Sequence, residues 1–295
     1  MNRKNEVIAG LGEVLWDMLP EGKKMGGAPA NFAYHVSQFG LDSCVVSAVG
    51  DDELGDEIVR QLESKGLNML VERVPYPTGT VQVELDGVGI PQYEIKKNAA
   101  WDNIPCTQRL CELASRTRAV CFGSLAQRAE VSRTTIARFL DAMPHGDDSL
   151  RVFDINLRQN FFTAEIIDNS LRLSNIFKIN DEELITVSKM FGLTGGMQEC
   201  CRQLLVRYGL KMLILTCGVN GSYVFTPDGV SFRETPAVEV ADTVGAGDSF
   251  TAAFISSIIK GKTVEEAHRT AVDVSAFVCT QRGAMPVLPA EYTGR

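Results

Sequence analysis

The chain of 295 residues is 45% hydrophobic and 22% charged, and its 29 basic and 37 acidic residues give a net charge of −8. A chain of this length can bury a large core without help from disulfides. The acidic balance, with no basic run, argues against nucleic acid as a partner. No segment approaches the ~20 apolar residues of a membrane span, and glycine and glutamate interrupt the N-terminal apolar stretch, unlike a secretory signal.

The eight cysteines are scattered without a CxxC pair, and the three histidines lack the spacing of a zinc site. We interpret the cysteines as reduced thiols. This predicts a cytoplasmic protein with neither a nucleic-acid nor a membrane partner.

Short β-branched runs alternate with helical patterns through most of the sequence. The strand-like runs are Val7–Leu15, Cys44–Val49, Ala119–Phe122, Val152–Ile155, Ile176–Ile179 and Met212–Leu215. The helix-like runs lie near Ala30–Phe39, Glu53–Lys65, Arg133–Met143, Asp181–Phe191, Gln198–Tyr208, Ser249–Lys260 and Val264–Thr280. This alternation favours an α/β fold, a mostly parallel central sheet with helices on both faces. We assign residues 1–12, 26–74 and 99–295 to this core domain.

Residues 75–98 break this rhythm because apolar and polar residues alternate there, with Gly and Pro at the bends. The pattern predicts a half-exposed antiparallel hairpin. Together with residues 13–25 it predicts a small β-sheet at one edge of the core, which we expect to act as a lid. Pairing of its strand edges with a second copy would give a homodimer, and a monomer with a polar-edged lid is equally consistent with the sequence.

Polar residues follow several of the predicted buried strands. Asn156 and Arg158 come after one strand, Asn180 after the next and Thr216 after a third. The carboxyl ends of parallel strands share one edge of a sheet, where ligands bind in open α/β folds. These side chains are therefore expected to converge in space.

The segment DTVGAGDSF at 242–250 places two glycines directly before an apolar helical run. The first N–H groups of a helix lack intrahelical acceptors, and glycine lets an anion approach them closely, so the segment predicts a phosphate site made of backbone amides. A carboxylate at Asp248 would repel that anion unless it acts as the general base on a substrate hydroxyl. The open alternative is that Asp248 only complements the helix dipole.

A second glycine cluster, Gly26 and Gly27, precedes a proline-led helix that carries Asn31, and Asp17 lies just upstream. Carboxylate, amide and free backbone N–H groups together suit a polyhydroxylated ligand, because each hydroxyl both donates and accepts. Ordinary loop glycines would explain the same residues.

These two segments, Gly26–Asn31 and Asp242–Asp248, resemble the two signatures of the PfkB-type, or ribokinase-like, sugar kinases. The resemblance runs nearly end to end, through Asp154–Arg158, Asn180–Glu183, Leu215–Gly218 and Gly283-Ala284. It implies a ribokinase-like fold with a lid that closes over a sugar and excludes water.

The resemblance assigns the reaction to Asp248, as the base on a sugar hydroxyl. The transferring phosphoryl group would be held by the amides of Gly245, Ala246 and Gly247. Arg158 matches an arginine that reaches sugar or phosphate oxygens, and an ion pair with Asp154 is its open alternative. Sugar contacts are implied for Asp17, Gly26, Gly27, Asn31, Arg158 and Asp248.

ATP and Mg²⁺ are the implied cofactors. Asn180 and Glu183 match an N-x-x-E element that organises Mg²⁺ and phosphates through water. Nucleotide contacts are implied for Asn180, Glu183, Thr216, Gly218, Gly221, Gly247, Val272 and Ala276.

Such kinases often bind a monovalent cation beside the anion site, and the matching residues are Asp242, Val244, Gln281 and Gly283. Here Val287 stands where ribokinase-like members carry serine. Potassium activation and a role of Asp242 in fixing the loop are both open.

The Ala28-Pro29 pair is typical of fructokinase-like members, where ribokinase-like members carry a lysine, and the Asp154-x-Asn156-x-Arg158 element is also fructokinase-like. The resemblance therefore implies ATP-dependent phosphorylation of fructose at its 6-hydroxyl. One alternative substrate is another ketose or a sugar acid such as 2-keto-3-deoxygluconate, whose carboxylate could pair with Arg158. An alternative of another class is a non-catalytic sensor of sugar or nucleotide on the kinase fold.

Overall fold

The computed structural model describes residues 6–20, 22–85 and 91–294, with the side chains of 83–85 and 91–93 excepted. The predicted core and lid segments also include residues 1–5, 21, 86–90 and 295, which lie outside the described residues. No helix in the described ranges is long and apolar enough to cross a membrane.

The strands are, in chain order, β1 (Val7–Leu11), β2 (Leu15–Leu19), β3 (Gly22–Gly26), β4 (Ser43–Gly50), β5 (Asn68–Val74), β6 (Gly79–Leu85), β7 (Pro91–Ile95), β8 (Thr117–Phe122), β9 (Leu150–Asp154), β10 (Ile176–Asn180), β11 (Met212–Thr216), β12 (Ser222–Thr226) and β13 (Gly229–Arg233). The helices are α1 (Ala28–Gln38), α2 (Glu53–Ser64), α3 (Gln108–Ser115), α4 (Glu130–Ala142), α5 (Ala164–Leu173), α6 (Asp181–Phe191), α7 (Met197–Tyr208), α8 (Ala246–Ile259), α9 (Val264–Cys279) and α10 (Ala290–Thr293).

Nine strands form one central sheet in the order β13-β12-β11-β10-β9-β8-β1-β4-β5. The pairs from β11 through to β5 are parallel, and β12 and β13 add an antiparallel edge. The predicted mostly parallel α/β sheet is therefore confirmed. Because β8 to β11 run in parallel, the loops that follow them open onto one edge of the sheet.

A second, four-stranded sheet has the order β3-β2-β6-β7. β6 and β7 pair antiparallel, as the alternating pattern predicts, whereas β2 and β6 pair parallel. The prediction of one strand over Val7–Leu15 is wrong, because the chain leaves the central sheet after Leu11 and enters the small sheet at Leu15. Gly12 makes this turn with φ 150°, a conformation that favours glycine.

All seven predicted helices are present, but the sequence prediction lacks β5, β12, β13, α3, α5 and α10. β5 lies at the edge of the sheet, where exposed polar residues interrupt its apolar run. The edge position explains why its pattern is weak.

Apolar side chains cover both faces of the central sheet. On one face the rings of Phe122, Phe153 and Phe177 stack across β8, β9 and β10, with centroids 5.4 and 5.6 Å apart. On the other face Phe250 and Phe254 of α8 are buried with α9. A helix buried this deeply holds its first turn in a fixed position against the sheet.

Candidate active site

The first turn of α8 presents backbone amides. Its N-cap, Gly245, has φ 79°, and a Cβ there would lie 2.6 Å from the Cβ of Ala284, so only glycine fits. Of the three amides predicted to hold a phosphoryl group, that of Ala246 donates to the carbonyl of Thr243 at 3.3 Å. Within the described residues the N–H groups of Gly245 and Gly247 have no protein acceptor. The turn can therefore offer two free donors and the positive end of a 14-residue helix to an anion.

Asn31 and Asp248 are in contact although they lie 217 residues apart in the chain. The Nδ2 of Asn31 donates to the Oδ2 of Asp248 at 2.7 Å. Asn31 is buried on the first turn of α1, and its Oδ1 has no partner among the described residues. The two glycine-rich segments therefore form one site, with an unsatisfied amide oxygen beside the carboxylate of Asp248.

The environment of Asp248 favours its protonated form. Burial, followed by the charge of Asp154, raises its pKa to about 6, and the bond from Asn31 and the charges of Lys178 and Arg158 oppose that rise. At neutral pH most of the population is ionised, so the group accepts a proton with more driving force than an ordinary aspartate.

Arg158 connects Asp248 electrostatically to two further carboxyl groups. Burial raises the pKa of Asp17, against the charges of Arg158 and Lys24. Burial also raises the pKa of Glu13 to about 7. The negative charge of Asp248 adds to this rise, and the positive charge of Arg158 opposes it. Arg158 itself is exposed, and its Nη1 donates to the carbonyl of Leu157 at 3.1 Å. Its guanidinium therefore has donors left for a ligand.

The alternative pairing of Arg158 with Asp154 is wrong, because Asp154 has another partner. The Nζ of Lys178 lies 3.0 Å from both carboxylate oxygens of Asp154, and both side chains are buried. Thr251 donates its hydroxyl to Oδ2 of Asp154 at 2.9 Å. Burial lowers the pKa of Lys178, but the charge and hydrogen bonds of Asp154 raise it by more. The pKa of Lys178 therefore lies above its usual value.

Asn180 and Glu183 form a capping box at the start of α6. The amide of Glu183 donates to Oδ1 of Asn180 at 2.8 Å, and the amide of Asn180 donates to Oε2 of Glu183 at 3.0 Å. Oε1 of Glu183 accepts from the amide of Leu157 at 2.8 Å, which ties the loop of Arg158 to α6. Burial raises the pKa of Glu183, and the bonds from Asn180 and Leu157 oppose that rise. Both residues therefore have a structural role that the motif did not reveal.

The residues assigned to the nucleotide lie on the neighbouring strand and on α9. Thr216 pairs in register with Asn180, so both lie at the carboxyl edge of the sheet. Gly218 and Gly221 follow it, with φ 53° and 93°. Val272 and Ala276 are buried on α9, and Ser275 of that helix donates to the carbonyl of Ala246 at 3.0 Å. α9 is thereby joined to the first turn of α8.

Asp242 bridges two loops. Its Oδ1 accepts from the amide of Val244 at 3.0 Å, and its Oδ2 accepts from the amide of Gly283 at 3.1 Å. Gln281 donates to the hydroxyl of Thr280 at 2.8 Å. Both oxygens of Asp242 hold the loop that leads into α8.

Sequence reasoning missed Glu13 and Lys178 as site residues. Glu13 follows β1, and polar residues that follow buried strands are expected to converge at the site. The sequence prediction extended this strand to Leu15, so Glu13 fell inside the strand and was not recognised. Lys178 interrupts the buried run of β10, and a lysine there is itself a signal, since such a charge is seldom buried unless paired.

Comparisons with known proteins identify the family of the chain. The model of the pfkB family carbohydrate kinases matches residues 21–291. A fructokinase from Escherichia coli is 29% identical over 298 residues, 95% of each chain. An ATP-dependent 6-phosphofructokinase from Thermoanaerobacterium thermosaccharolyticum is 28% identical, over 98% of this chain and 92% of its own.

A solved structure gives the same fold. The fructokinase from Vibrio cholerae O395, with fructose, ADP and calcium bound, superposes with a TM-score of 0.82 at 23% identity, over 99% of both chains. The chain therefore belongs to the pfkB family of carbohydrate kinases and is an ATP-dependent sugar phosphotransferase.

Proposed function

We propose that the protein phosphorylates fructose on its 6-hydroxyl with ATP, and that Asp248 is the general base. The observation that carries this proposal is the 2.7 Å hydrogen bond between Asn31 and Asp248. It joins the side chain assigned to the sugar with the side chain assigned to the proton, next to the free amides of Gly245 and Gly247.

In this reaction the hydroxyl oxygen of the sugar attacks the γ-phosphorus of ATP, and the bond from that phosphorus to the β,γ-bridging oxygen breaks. The hydroxyl proton passes to the carboxylate of Asp248, and ADP leaves with the bridging oxygen. Charge on the moving phosphoryl group is stabilised by the amides of Gly245 and Gly247, which are already oriented before it arrives.

The unsatisfied Oδ1 of Asn31 and the carboxyl group of Asp17 would accept hydrogen bonds from further hydroxyl groups of the sugar. Arg158 would donate to sugar or phosphate oxygens. These groups fit a ligand with several hydroxyls, because each one offers an acceptor or a donor in a fixed place.

The site also fits Mg²⁺, which supplies neutralising charge to the phosphates of ATP. Asn180 and Glu183 would organise the water around the ion. The oxygens of Glu183 each accept one backbone N–H, and a carboxylate oxygen has a second lone pair for a water molecule. Nucleotide contacts are proposed for Thr216, Gly218 and Gly221, with Val272 and Ala276 along the adenine.

For Asp242 we propose the structural role, because both carboxylate oxygens already hold loop amides. The competing role is that Asp242 forms part of a potassium site with Val244, Gln281 and Gly283. Replacing K⁺ with Na⁺ in the kinase assay tests this role. Turnover that depends on K⁺ would favour the cation site.

The proposal is tested by ADP release with fructose, ribose, 2-keto-3-deoxygluconate and fructose 6-phosphate, on the wild type and on Asp248→Asn. Fructose is expected to have the highest kcat/KM. Asp248→Asn is expected to bind sugar and ATP but to lose turnover by about 10³-fold, the middle of the range for a general base. Asp228→Asn, in the exposed turn between β12 and β13, is the matched control and should keep full activity.

Turnover of Asp248→Asn close to that of the wild type would exclude Asp248 as the base. A higher kcat/KM for the sugar acid would transfer the substrate assignment to that alternative, with Arg158 as the partner of its carboxylate. ATP and sugar binding without turnover in the wild type would favour the sensor.

A further inference from the structure

Beneath the amides of α8 lies a buried cation that the proposed mechanism does not use. Lys178 stands in the middle of the predominantly apolar strand β10, and its ammonium group is held by both oxygens of Asp154 at 3.0 Å. A lysine that only filled space there would be replaced by an apolar side chain without loss, since a buried ion pair often stabilises no more than well-packed hydrophobic residues. The pair therefore calls for a functional reason.

The position of the ammonium group supplies that reason. A Cβ on Gly247 would lie 3.3 Å from the Nζ of Lys178, so the charge is adjacent to the first turn of α8. Thr251 fixes the turn to the pair, because its hydroxyl lies 2.9 Å from Oδ2 of Asp154 and 3.0 Å from the carbonyl of Gly247. The strands β9 and β10 and the start of α8 thus form one hydrogen-bonded unit beneath the anion site.

We propose that Lys178 is a positioning residue for phosphoryl transfer, which holds a fixed positive charge beside Gly247 in the first turn of α8. Asp154 anchors this charge, and Thr251 connects the anchor to the helix. This inference rests on the proposed function, since it assigns Lys178 to the same phosphoryl site. A charge fixed in a site of low dielectric costs no reorganisation when the phosphoryl group arrives, which is the condition for a large electrostatic contribution.

Lys178→Met tests the charge, because methionine has nearly the same length without the ammonium group. It is expected to lower kcat by about 100-fold and to change the KM for the sugar by less than about threefold, since the sugar contacts lie on other elements. This single variant leaves Asp154 buried without its partner, so a loss of activity could also come from structural damage.

The double variant Asp154→Leu/Lys178→Met separates these explanations. It removes the orphaned carboxylate along with the cation, and it is expected to recover the unfolding free energy of the wild type while its kcat stays about 100-fold low. Recovery of kcat to within about threefold of the wild type would overturn the inference, as would such a kcat in Lys178→Met alone. If Lys178→Met does not fold, the kcat of the double variant alone tests whether the charge of Lys178 is needed.

The same assays on Asp248→Asn keep this inference distinct from the proposed function. Full turnover in Asp248→Asn would remove the proposed mechanism, and the role of Lys178 with it. An inactive Asp248→Asn combined with an unimpaired Lys178→Met would overturn the role of Lys178 and leave the base in place.

Discussion

The geometry of Gly247 allows a sharp test of the anion site with a single methyl group. Its backbone φ lies outside the left-handed region, so alanine can adopt the same conformation. The added Cβ would lie 3.3 Å from the Nζ of Lys178, which is a few tenths of an ångström closer than an ordinary contact. Either the ammonium group or the first turn of α8 must move to accommodate it.

Folding should tolerate Gly247→Ala, because alanine gains about 1 kcal/mol over glycine in a helix and this offsets the tight contact. Catalysis should be more sensitive, because a displacement on the order of 1 Å of groups around a reacting centre can cost about 10²-fold in rate, and the shift required here is a few tenths of an ångström. We therefore expect kcat to fall about 10-fold, with an unfolding free energy within about 1 kcal/mol of the wild type.

The assay is ADP release at saturating fructose and ATP, together with urea unfolding of the ligand-free protein. Gly229→Ala is the matched control, because a Cβ there meets nothing within 4 Å. Gly229 begins β13 and pairs with Thr226, at the opposite end of β12 from Ser222, the partner of Thr216. A kcat of Gly247→Ala within about threefold of the wild type would refute the reasoning that the phosphoryl group meets this turn.

Two further predictions concern the carboxyl group of Asp248. The kcat/KM of the wild type for the sugar should fall as the pH drops through about 6, because this parameter reports the free enzyme, in which the base must be ionised to accept the proton. A kcat/KM that stays flat well below this pH would contradict the assignment, with the coupling enzymes checked separately at each pH. Asp248→Asn should also be more stable than the wild type at neutral pH. The pKa of Asp248 is raised in the folded state, from 3.8 to about 6, so the wild type loses stability as pH rises through this interval, by up to about 3 kcal/mol. The gain in urea unfolding should disappear near pH 3.8, and a variant less stable at neutral pH than the wild type would contradict it.

The fold could be predicted from the sequence wherever burial gives the apolar residues a clear pattern along the chain. The strands β8 to β11 lie inside the sheet and read as apolar runs, so their loops could be assigned to one edge. β1 was the exception, since the apolar residues of β1 and β2 are separated by only a glycine and two further residues. The period of the pattern does not change there, and only the turn at Gly12 shows that the chain changes sheets.

The site could be predicted where its residues lie in a local motif, and could not where it depends on contacts between distant elements. The segment 242–248 contains the information for an anion site, because a helix start needs only its own glycines. The pairing of Asp154 depends on the register of β9 against β10, in which Asp154 stands opposite Lys178. From the sequence, Arg158 was the nearer cation, and an ion pair between Arg158 and Asp154 was therefore left open as an alternative.

The charges of the site explain why burial and catalysis are linked in this protein. Burial raises the pKa of four carboxyl groups at the site, Glu13, Asp17, Glu183 and Asp248. Each would be easier to ionise in water, so their position here costs folding free energy. In Asp248 this cost has a use, because a carboxylate held above its ordinary pKa takes a proton more readily. Lys178 and Arg158 limit the rise at Asp248, so that the base is strengthened yet still ionised at neutral pH.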